Sequence, residues 1–287
     1  MELVTQTIVN ALLLFSFYAL IALGLSLVFG VMGTANYAHG EFYMVGAYVV
    51  WLLYTLNDWP FLVTVVMAAL IVGAMGVLAE RLLFRRVRGD VVTGLLMSIG
   101  LVFVLQVLVS EIWGVGKPKP VAAFLTGTLD IAGASVSWQR CLVVPVAIVI
   151  LGALYYFLNR TRMGRSLRAV AMDSTAAALQ GMSVDRSGLL ALGIASAMAG
   201  IAGAVMSPIF SVTPYMGHYV IWNCFVIIIL GGAGNLKGTI IAAAILAFLS
   251  TVVTTVWDTT IANIVASLFV LAVLSLRPQG LMGQAET

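Results

Sequence analysis

The sequence predicts an all-α polytopic membrane protein with about eight to nine transmembrane helices, some of them broken or re-entrant. Three observations predict this fold class. Hydrophobic residues make up 62% of the 287 residues and charged residues only 9%, whereas a soluble domain carries about 25% charged residues. The mean hydropathy is +1.11. The apolar residues also form long unbroken runs, so lipid is the expected solvent for most of the surface.

The apolar runs define the candidate helices, since a helix needs about 20 residues to cross the hydrocarbon core. A shorter run, 261–276, ends at Arg277, and the run 218–230 is too short for a perpendicular span. No soluble domain or low-complexity linker separates the runs, which predicts a single transmembrane domain over residues 1–287. The longer runs are 8–31, 41–57, 61–83, 91–113, 141–158, 188–208 and 238–257.

The arginine residues predict the side of the membrane that each loop occupies. One cluster lies within 84–90, after the third run, and a second fills the loop 159–187. Lys and Arg are concentrated in cytoplasmic loops, and two runs separate the clusters, so we expect both loops in the cytoplasm. Loop 114–140 and the N-terminus are then external. The side of the C-terminus stays open, because it depends on whether 218–230 crosses the membrane or re-enters.

Two glycine-rich stretches interrupt the apolar pattern, one in each half of the chain. The first is ANYAHGEFYMVGAYV at 35–49, and the second is NCFVIIILGGAGNLKG at 223–238. Transporters often build their substrate path from paired discontinuous helices, and an ionisable residue inside a membrane is functional by default. We therefore expect the two stretches to approach each other along a substrate pathway. The candidate pathway residues are Asn36, His39, Glu41, Asn223, Gly231, Gly232, Gly234 and Asn235.

Two alternatives remain open for these stretches. Glycines in membrane helices often serve only close helix packing. Glu41 also suits a helix that starts at the cytoplasmic interface, where a carboxylate is favoured by the positive end of the helix dipole.

The motifs give no support to catalysis or cofactor binding. HGE at 39–41 has the H-x-E of zinc deaminases, but the P-C-x-x-C of that signature is missing. GGAGNLKGT at 231–239 fails the phosphate-loop spacing, because Leu236 stands where the second glycine belongs. We therefore expect no metal, no cofactor and no ATP hydrolysis by this chain. The net charge of +3 is too small to predict a nucleic-acid partner.

The cytoplasmic loop 159–187 contains a segment suited to contact another protein. STAAALQGMS predicts a short helix that Ser174 or Thr175 caps and that Gly181 ends. A helix this short is marginal in water by itself, so it needs a partner surface. The alternative is a connector that lies on the membrane interface. The residues expected at the contact are Ser174, Thr175, Ala176, Ala177, Ala178, Leu179, Gln180 and Gly181.

Five stretches carry a family resemblance over nearly the full length of the chain. They are NYAHGEFYMVGAY (36–48), RTRMGRSLRAVAMDSTAAALQGMSVDR (160–186), SAMAGIAGAV (196–205), ILGGAGNLKGTIIAA (229–243) and RPQGLMG (277–283). In this order they resemble the permease subunit of bacterial ABC importers for branched-chain amino acids, the LivH-like family. The alanine-rich segment ending at Gly181 resembles the coupling helix of that family, which contacts the ATPase. The acidic position of its motif falls on Ala176 or is displaced to Asp173.

The resemblance implies one subunit of a heteromeric importer in the bacterial inner membrane, without enzyme activity of its own. Its implied partners are a second homologous permease subunit, two cytoplasmic ABC ATPase subunits and a periplasmic substrate-binding protein. The family transports branched-chain amino acids, urea and short amides, so the solute stays open. The alternative function is a self-sufficient secondary transporter or channel for a small polar solute. A membrane-embedded enzyme using His39 and Glu41 is disfavoured, because no complete catalytic constellation is present.

Overall fold

The computed structural model describes residues 2–115, 117–131 and 133–283. The chain is almost entirely helical, with one short hairpin of antiparallel strands in the loop after the fourth helix. The elements are α1 (Glu2–Met32), α2 (His39–Val50), α3 (Phe61–Leu82), α4 (Val91–Trp113), β1 (Thr128–Ile131), β2 (Ala134–Ser137), α5 (Trp138–Cys141), α6 (Val143–Arg160), α7 (Arg162–Met172), α8 (Ser174–Leu179), α9 (Val184–Met206), α10 (Met216–Gly231), α11 (Leu236–Val256) and α12 (Thr259–Leu276).

Each of the apolar runs read from the sequence is helical in the structure. Within the described residues, 7 helices are long and apolar enough to cross a membrane, and α10 is a shorter apolar helix. The run at 41–57 begins as α2 and ends in one π-helical turn, Trp51–Thr55. These findings confirm the all-α polytopic fold.

Helices α1–α4 and α9–α12 repeat one arrangement in opposite directions. Each set has a long buried helix (α1 or α9), then a short helix (α2 or α10), then two long helices. Helix α1 ends, and α9 begins, at the end of the bundle that carries the arginine-rich loops. Helix α1 packs against α11 and α9 packs against α3, so each buried helix also holds a helix of the other set. Inverted repeats of this kind are common in secondary transporters.

The C-terminal segment lies on the same side as the arginine-rich loops. Thr34, which follows α1, lies against Gly94 in the first turn of α4. Gly30 at the end of α1 packs against Gly234, and residues 280–283 pack on the same turn. Helix α10 therefore brings the chain back to the side of the arginines, so the C-terminal segment and the arginine-rich loops lie at the same end of the bundle.

Polar side chains cap most of the helices that begin in loops, although α3, with Pro60 at its N-cap position, has no side-chain cap. Asp90 caps α4, for example, because its Oδ1 accepts hydrogen bonds from the amides of Val92 at 3.1 Å and Thr93 at 3.0 Å. The Thr93 hydroxyl also donates to Asp90, and this hydrogen bond holds the pKa of the Asp90 carboxyl below its usual value. Helices α2 and α10 differ, because Ala38 and Tyr215 stand at their N-cap positions and neither has a side-chain cap.

Candidate substrate pathway and coupling surface

The chain re-enters the bundle directly after α1. Residues 33–38 run back along α4, where the Tyr37 amide donates to Ser98 Oγ at 3.1 Å. The Oδ1 atom of Asn36 accepts from the Ala38 amide at 3.0 Å, which holds the turn into α2. Irregular backbone at membrane depth is tolerated only where protein or a watery cavity satisfies it. Helix α2 therefore starts inside the bundle.

His39 and Glu41 stand in the first turn of α2, deep in the bundle. His39 is fully buried, and its Nε2 is 3.1 Å from the Ile21 carbonyl oxygen on α1. Glu41 is 1% exposed, and its Oε1 accepts a hydrogen bond from Nε2 of Gln106 at 2.9 Å. Gln106 lies about 22 Å beyond the start of α4 at the helical rise of about 1.5 Å per residue. The alternative that places Glu41 at the cytoplasmic interface is therefore wrong.

Three buried polar atoms at the start of α2 have no hydrogen-bond partner among the described residues. They are Asn36 Nδ2, His39 Nδ1 and Glu41 Oε2. An unpaired buried polar group costs about 1–3 kcal/mol, so groups of this kind call for an explanation other than packing. A solute or water in a pathway would supply the missing partners.

Sequence reasoning missed Gln106. It is the only polar residue between Ser98 and Ser110 in an apolar helix. A polar side chain buried in a membrane helix usually marks a functional position, so this isolated amide was a usable signal.

The starts of α2 and α10 touch at two glycines. A Cβ built on Gly40 would lie 2.4 Å from the Gly217 carbonyl oxygen, and one on Gly217 would lie 2.3 Å from the Gly40 carbonyl oxygen. Only residues without a Cβ allow this approach. Farther along α10, the ring of Phe225 packs against the ring of Tyr37 with centroids 4.5 Å apart. The pathway stretch at 35–49 therefore meets the beginning of α10.

A groove lies between α4 and the first turns of α10. It encloses about 620 Å³ and is lined by Gln106, Tyr215, His218, Tyr219 and Trp222. Gln106 thus faces Glu41 on one side and the groove on the other. Asn223 belongs to the same part of α10, but its Nδ2 donates to the Tyr219 carbonyl oxygen of its own helix at 3.0 Å.

A second cavity opens on the other side of Tyr219. Its volume is about 670 Å³, and it is enclosed by the outer parts of α1, α10, α11 and α12. Aromatic and aliphatic side chains from α1, α2, α9 and α10 form one wall, with Tyr43 among them. Hydroxyl side chains of α11 form the other wall, and Arg140 also lines the cavity. The first turns of α10 thus line both cavities, and Tyr219 belongs to each of them.

The glycine-rich stretch after α10 is a packed turn at the end of the bundle that carries the arginine-rich loops. Gly232 and Gly234 have φ values of +97 and +79, which only glycine adopts without strain. Asn235 caps α11 through the Gly238 amide at 3.0 Å, and its Nδ2 donates to the Met282 carbonyl oxygen at 2.7 Å. Gly231 is buried against Gly238.

This turn and the start of α2 are not in contact. The neighbours of the turn are Gly30, Gly238 and residues 282–283, whereas Gly40 contacts the other end of α10. Gly217 and Gly231 are separated by about 21 Å along the helix at about 1.5 Å per residue. The expectation that Asn36, His39 and Glu41 approach Gly231–Asn235 is therefore wrong, although Tyr37 of the first stretch packs against Phe225 of the second. In this structure Gly231, Gly232, Gly234 and Asn235 form the packed turn.

Loop 159–187, expected in the cytoplasm, forms two helices, α7 and α8. The sequence assigned the cap of α8 to Ser174 or Thr175, and this was wrong: Asp173 Oδ1 accepts from the amides of Thr175 and Ala176, each at 2.9 Å. Asp173 lies one residue before the helix, where a capping side chain can turn back to the free amides. At the other end, Gly181 at φ +78 closes the helix.

The two faces of α8 differ sharply. Ala177 is 4% exposed and packs against the chain itself, while the other residues of α8 are exposed. Leu179 is 85% exposed, and Met172 at the end of α7 is 89% exposed. Large apolar side chains exposed together commonly mark an interaction surface.

An ion cluster ties α9, directly after this loop, to the first arginine-rich loop. Arg88 Nη1 donates to Asp185 Oδ1 at 2.6 Å, and its Nη2 pairs with the fully buried Glu80. Arg85 pairs with the second oxygen of Asp185. Gly188 leaves the necessary room, because a Cβ there would lie 2.7 Å from the Arg88 guanidinium.

Comparison with known proteins identifies the family. Residues 7–276 match the family described as "Branched-chain amino acid transport system / permease component". The chain is 31% identical to the high-affinity branched-chain amino acid transport system permease protein LivH of Salmonella typhimurium, over 98% of this chain and 96% of that protein. It is 30% identical to the corresponding protein BraD of Pseudomonas aeruginosa, over the same shares of both chains.

A solved structure of similar fold is PsaBC from Streptococcus pneumoniae in complex with Fab. The TM-score is 0.54, with 13% sequence identity over 95% of this chain and 92% of that chain. At this identity the likeness shows the fold alone. The family match covers the helices that bring α2, α4 and α10 together. The chain therefore belongs to the permease components of branched-chain amino acid transport systems.

Proposed function

We propose that this chain is the membrane-spanning subunit of an ABC importer in the bacterial inner membrane. It moves a branched-chain amino acid, or urea or a short amide, from the periplasm to the cytoplasm. ATP hydrolysis on partner subunits drives the movement. The names of the relatives LivH and BraD support a branched-chain amino acid as the first solute to test.

The solute path runs past the start of α2. Buried polar atoms of Asn36, His39 and Glu41 lack partners there, and two cavities adjoin the same point. Helix α4 buries little of its surface against the rest of the chain. A second homologous permease subunit packed along α4 would close the groove beside Gln106 and complete the path.

The observation that carries the proposal is the pair of exposed apolar side chains that flank α8, Met172 at the end of α7 and Leu179 at the end of α8. Leu179 and Met172 face outward on a helix pair that is capped at Asp173 and closed at Gly181. This surface suits a groove on a cytoplasmic ATPase subunit. The ion cluster of Arg85, Arg88, Glu80 and Asp185 would pass a movement of α8 to α9, α3 and α4 as one rigid piece.

The test is purification of the tagged chain with its partners, followed by uptake in proteoliposomes. A P-loop ATPase and a periplasmic binding protein should co-purify or reconstitute with it. Leu179→Glu should lower ATP-driven uptake of radiolabelled leucine about tenfold or more, since a central interface residue contributes about 2 kcal/mol or more. Membrane insertion should be unchanged, because α8 lies outside the bilayer.

The matched control is Leu276→Glu, the same change at an 84% exposed position at the cytoplasmic end of α12. It should retain uptake. Ala177 is a poorer probe, because a large residue there would disturb the packing of α8 on the chain itself. Wild-type uptake by the Leu179→Glu variant would mean that loop 159–187 is only a connector. Uptake by the chain alone, driven by an ion gradient, would support a secondary transporter, and parallel assays with urea and acetamide would identify the solute.

A further inference from the structure

Gln106 has a fixed orientation between Glu41 and the groove. Its Nε2 donates to Glu41 Oε1 at 2.9 Å. When Glu41 is ionised its oxygens only accept hydrogen bonds, so the NH₂ end of the amide faces Glu41. The carbonyl oxygen Oε1 is then the free end of the amide on the side of the groove. The hydrogen bond to Glu41 thus turns the carbonyl oxygen of Gln106, a hydrogen-bond acceptor, toward the groove.

The surroundings of this acceptor favour positive charge. Glu41 is 1% exposed, and its Oε2 has no partner among the described residues. The aromatic residues of the groove are Tyr215, Tyr219 and Trp222, each more than half exposed. The faces of aromatic rings attract cations, and the effect is larger where water is excluded. Neither Lys nor Arg is among the residues that line the groove.

We infer that Gln106, held by Glu41, contacts the ammonium end of the transported solute in the groove between α4 and α10. The ammonium group donates to Gln106 Oε1 and lies against the rings of Tyr219 and Trp222. Glu41 is a positioning residue, which orients the amide and supplies the negative charge behind it. The solute class is a small amine with an apolar remainder, such as a zwitterionic aliphatic amino acid. This inference rests on the proposed function, because it places the groove on the solute path.

The first experiment measures the charge preference of the groove directly. In the assembled complex, with Cys141 and Cys224 replaced by alanine, Gln106→Cys is exposed to cationic aminoethyl or anionic sulfonatoethyl methanethiosulfonate. Each rate is divided by the rate of the same reagent with a free thiol. The cationic reagent should react about tenfold faster or more, since a charged cleft focuses opposite charge. Adding Glu41→Gln should bring the ratio close to one.

The control for access is Leu108→Cys, at a 51% exposed position on the opposite face of α4. It should react with neither reagent, because lipid keeps the thiol protonated. Equal or faster modification of Gln106→Cys by the anionic reagent would overturn the inference. The same holds if Gln106→Cys is as inert as Leu108→Cys.

The second experiment measures transport by the whole complex in proteoliposomes. Gln106→Leu should reduce radiolabelled leucine uptake about tenfold or more, the size expected for a lost hydrogen bond to a charged group. Gln6→Leu is the matched control, since that amide only donates to Asn10 on the same helix at 3.3 Å. It should keep uptake at the wild-type rate.

The outcomes separate this inference from the proposed function. If wild-type complex assembles with its ATPase and Gln106→Leu takes up leucine normally, the inference is overturned and the proposed function stands. If uptake of acetamide falls as much as uptake of leucine, an ammonium group is not what Gln106 recognises. If no ATPase binds the wild-type chain, the proposed function fails, whatever the charge preference at Gln106→Cys.

Discussion

The two short helices of the inverted repeat, α2 and α10, share a backbone design but differ in their side chains. Both begin inside the bundle without a side-chain cap, and they meet at Gly40 and Gly217. The first turn of α2 carries the buried His39 and Glu41, whereas α10 begins with exposed aromatic residues. The repeated backbone therefore positions two helix starts, and only one of them holds buried ionisable groups.

The two helix pairs that join the sets of the repeat, α3–α9 and α1–α11, also differ in their side-chain contacts. Helices α3 and α9 are tied at the cytoplasmic end by the cluster around Arg88. The equivalent pair, α1 and α11, is joined by one hydrogen bond, in which Thr239 Oγ1 donates to Ser26 Oγ at 2.9 Å. The ionic contacts thus lie beside loop 159–187, which we propose to contact the ATPase.

The largest effect is expected at the ionic pair. Arg88→Met removes the partner of the fully buried Glu80, which should lower the free energy of unfolding by about 3–5 kcal/mol. The thermal unfolding midpoint of the detergent-purified chain measures this. Arg86→Met, the same change at an exposed site, should leave the midpoint nearly unchanged. Adding Glu80→Gln to Arg88→Met should recover part of the loss, and no recovery would contradict a charge effect.

An intermediate effect is expected where α2 and α10 touch. Gly40→Ala places a Cβ 2.4 Å from the Gly217 carbonyl oxygen, and such overpacking costs about 1–3 kcal/mol. Size-exclusion chromatography after heating should show less monodisperse protein. Gly152→Ala on α6 has no atom within 4 Å of the new Cβ and should be neutral or stabilising. Equal stability of the two variants would mean that the helix starts are farther apart in the membrane.

The smallest effect is expected at the α1–α11 pair. Thr239→Val removes the hydroxyl that donates to Ser26. Hydrogen bonds between membrane helices contribute about 0.6 kcal/mol on average, so the unfolding midpoint should fall only slightly. A loss as large as that of Arg88→Met would show that the two sets are held with equal strength, and the contrast between the pairs would disappear.

The sequence was sufficient to predict the helices, because apolar length acts locally, while the membrane side of each loop stays a prediction from the arginine positions. It also singled out Asn36, His39 and Glu41, which are buried, since polar and ionisable groups are costly inside any membrane protein. It was not sufficient to pair the interrupted stretches. Glycine clusters at 231–234 allow close packing with any backbone, and only the fold shows that their neighbour is Gly30.

Two further features also depend on tertiary structure. Ala177 is buried because of the way α8 packs on the rest of the chain. An alanine in a sequence does not indicate which residues it will contact. The role of Gln106 depends on its distance from Glu41, which lies 65 positions away in the chain. The sequence shows that Gln106 is isolated in an apolar helix, but it does not show that Glu41 is its partner.

The turn after α10 has a consequence for the timing of biosynthesis. Its Asn235 amide donates to the Met282 carbonyl oxygen, 47 positions later, and the Leu281 amide donates to the Leu230 carbonyl oxygen at 2.7 Å. At about 5–20 residues per second, the ribosome needs roughly 2 to 9 seconds to make the intervening chain. During that interval the end of α10 lacks its final partners while α11 and α12 are inserted. The second half of the repeat therefore completes its packing last, and a nascent permease should stay vulnerable to membrane proteases until the segment 280–283 has been made.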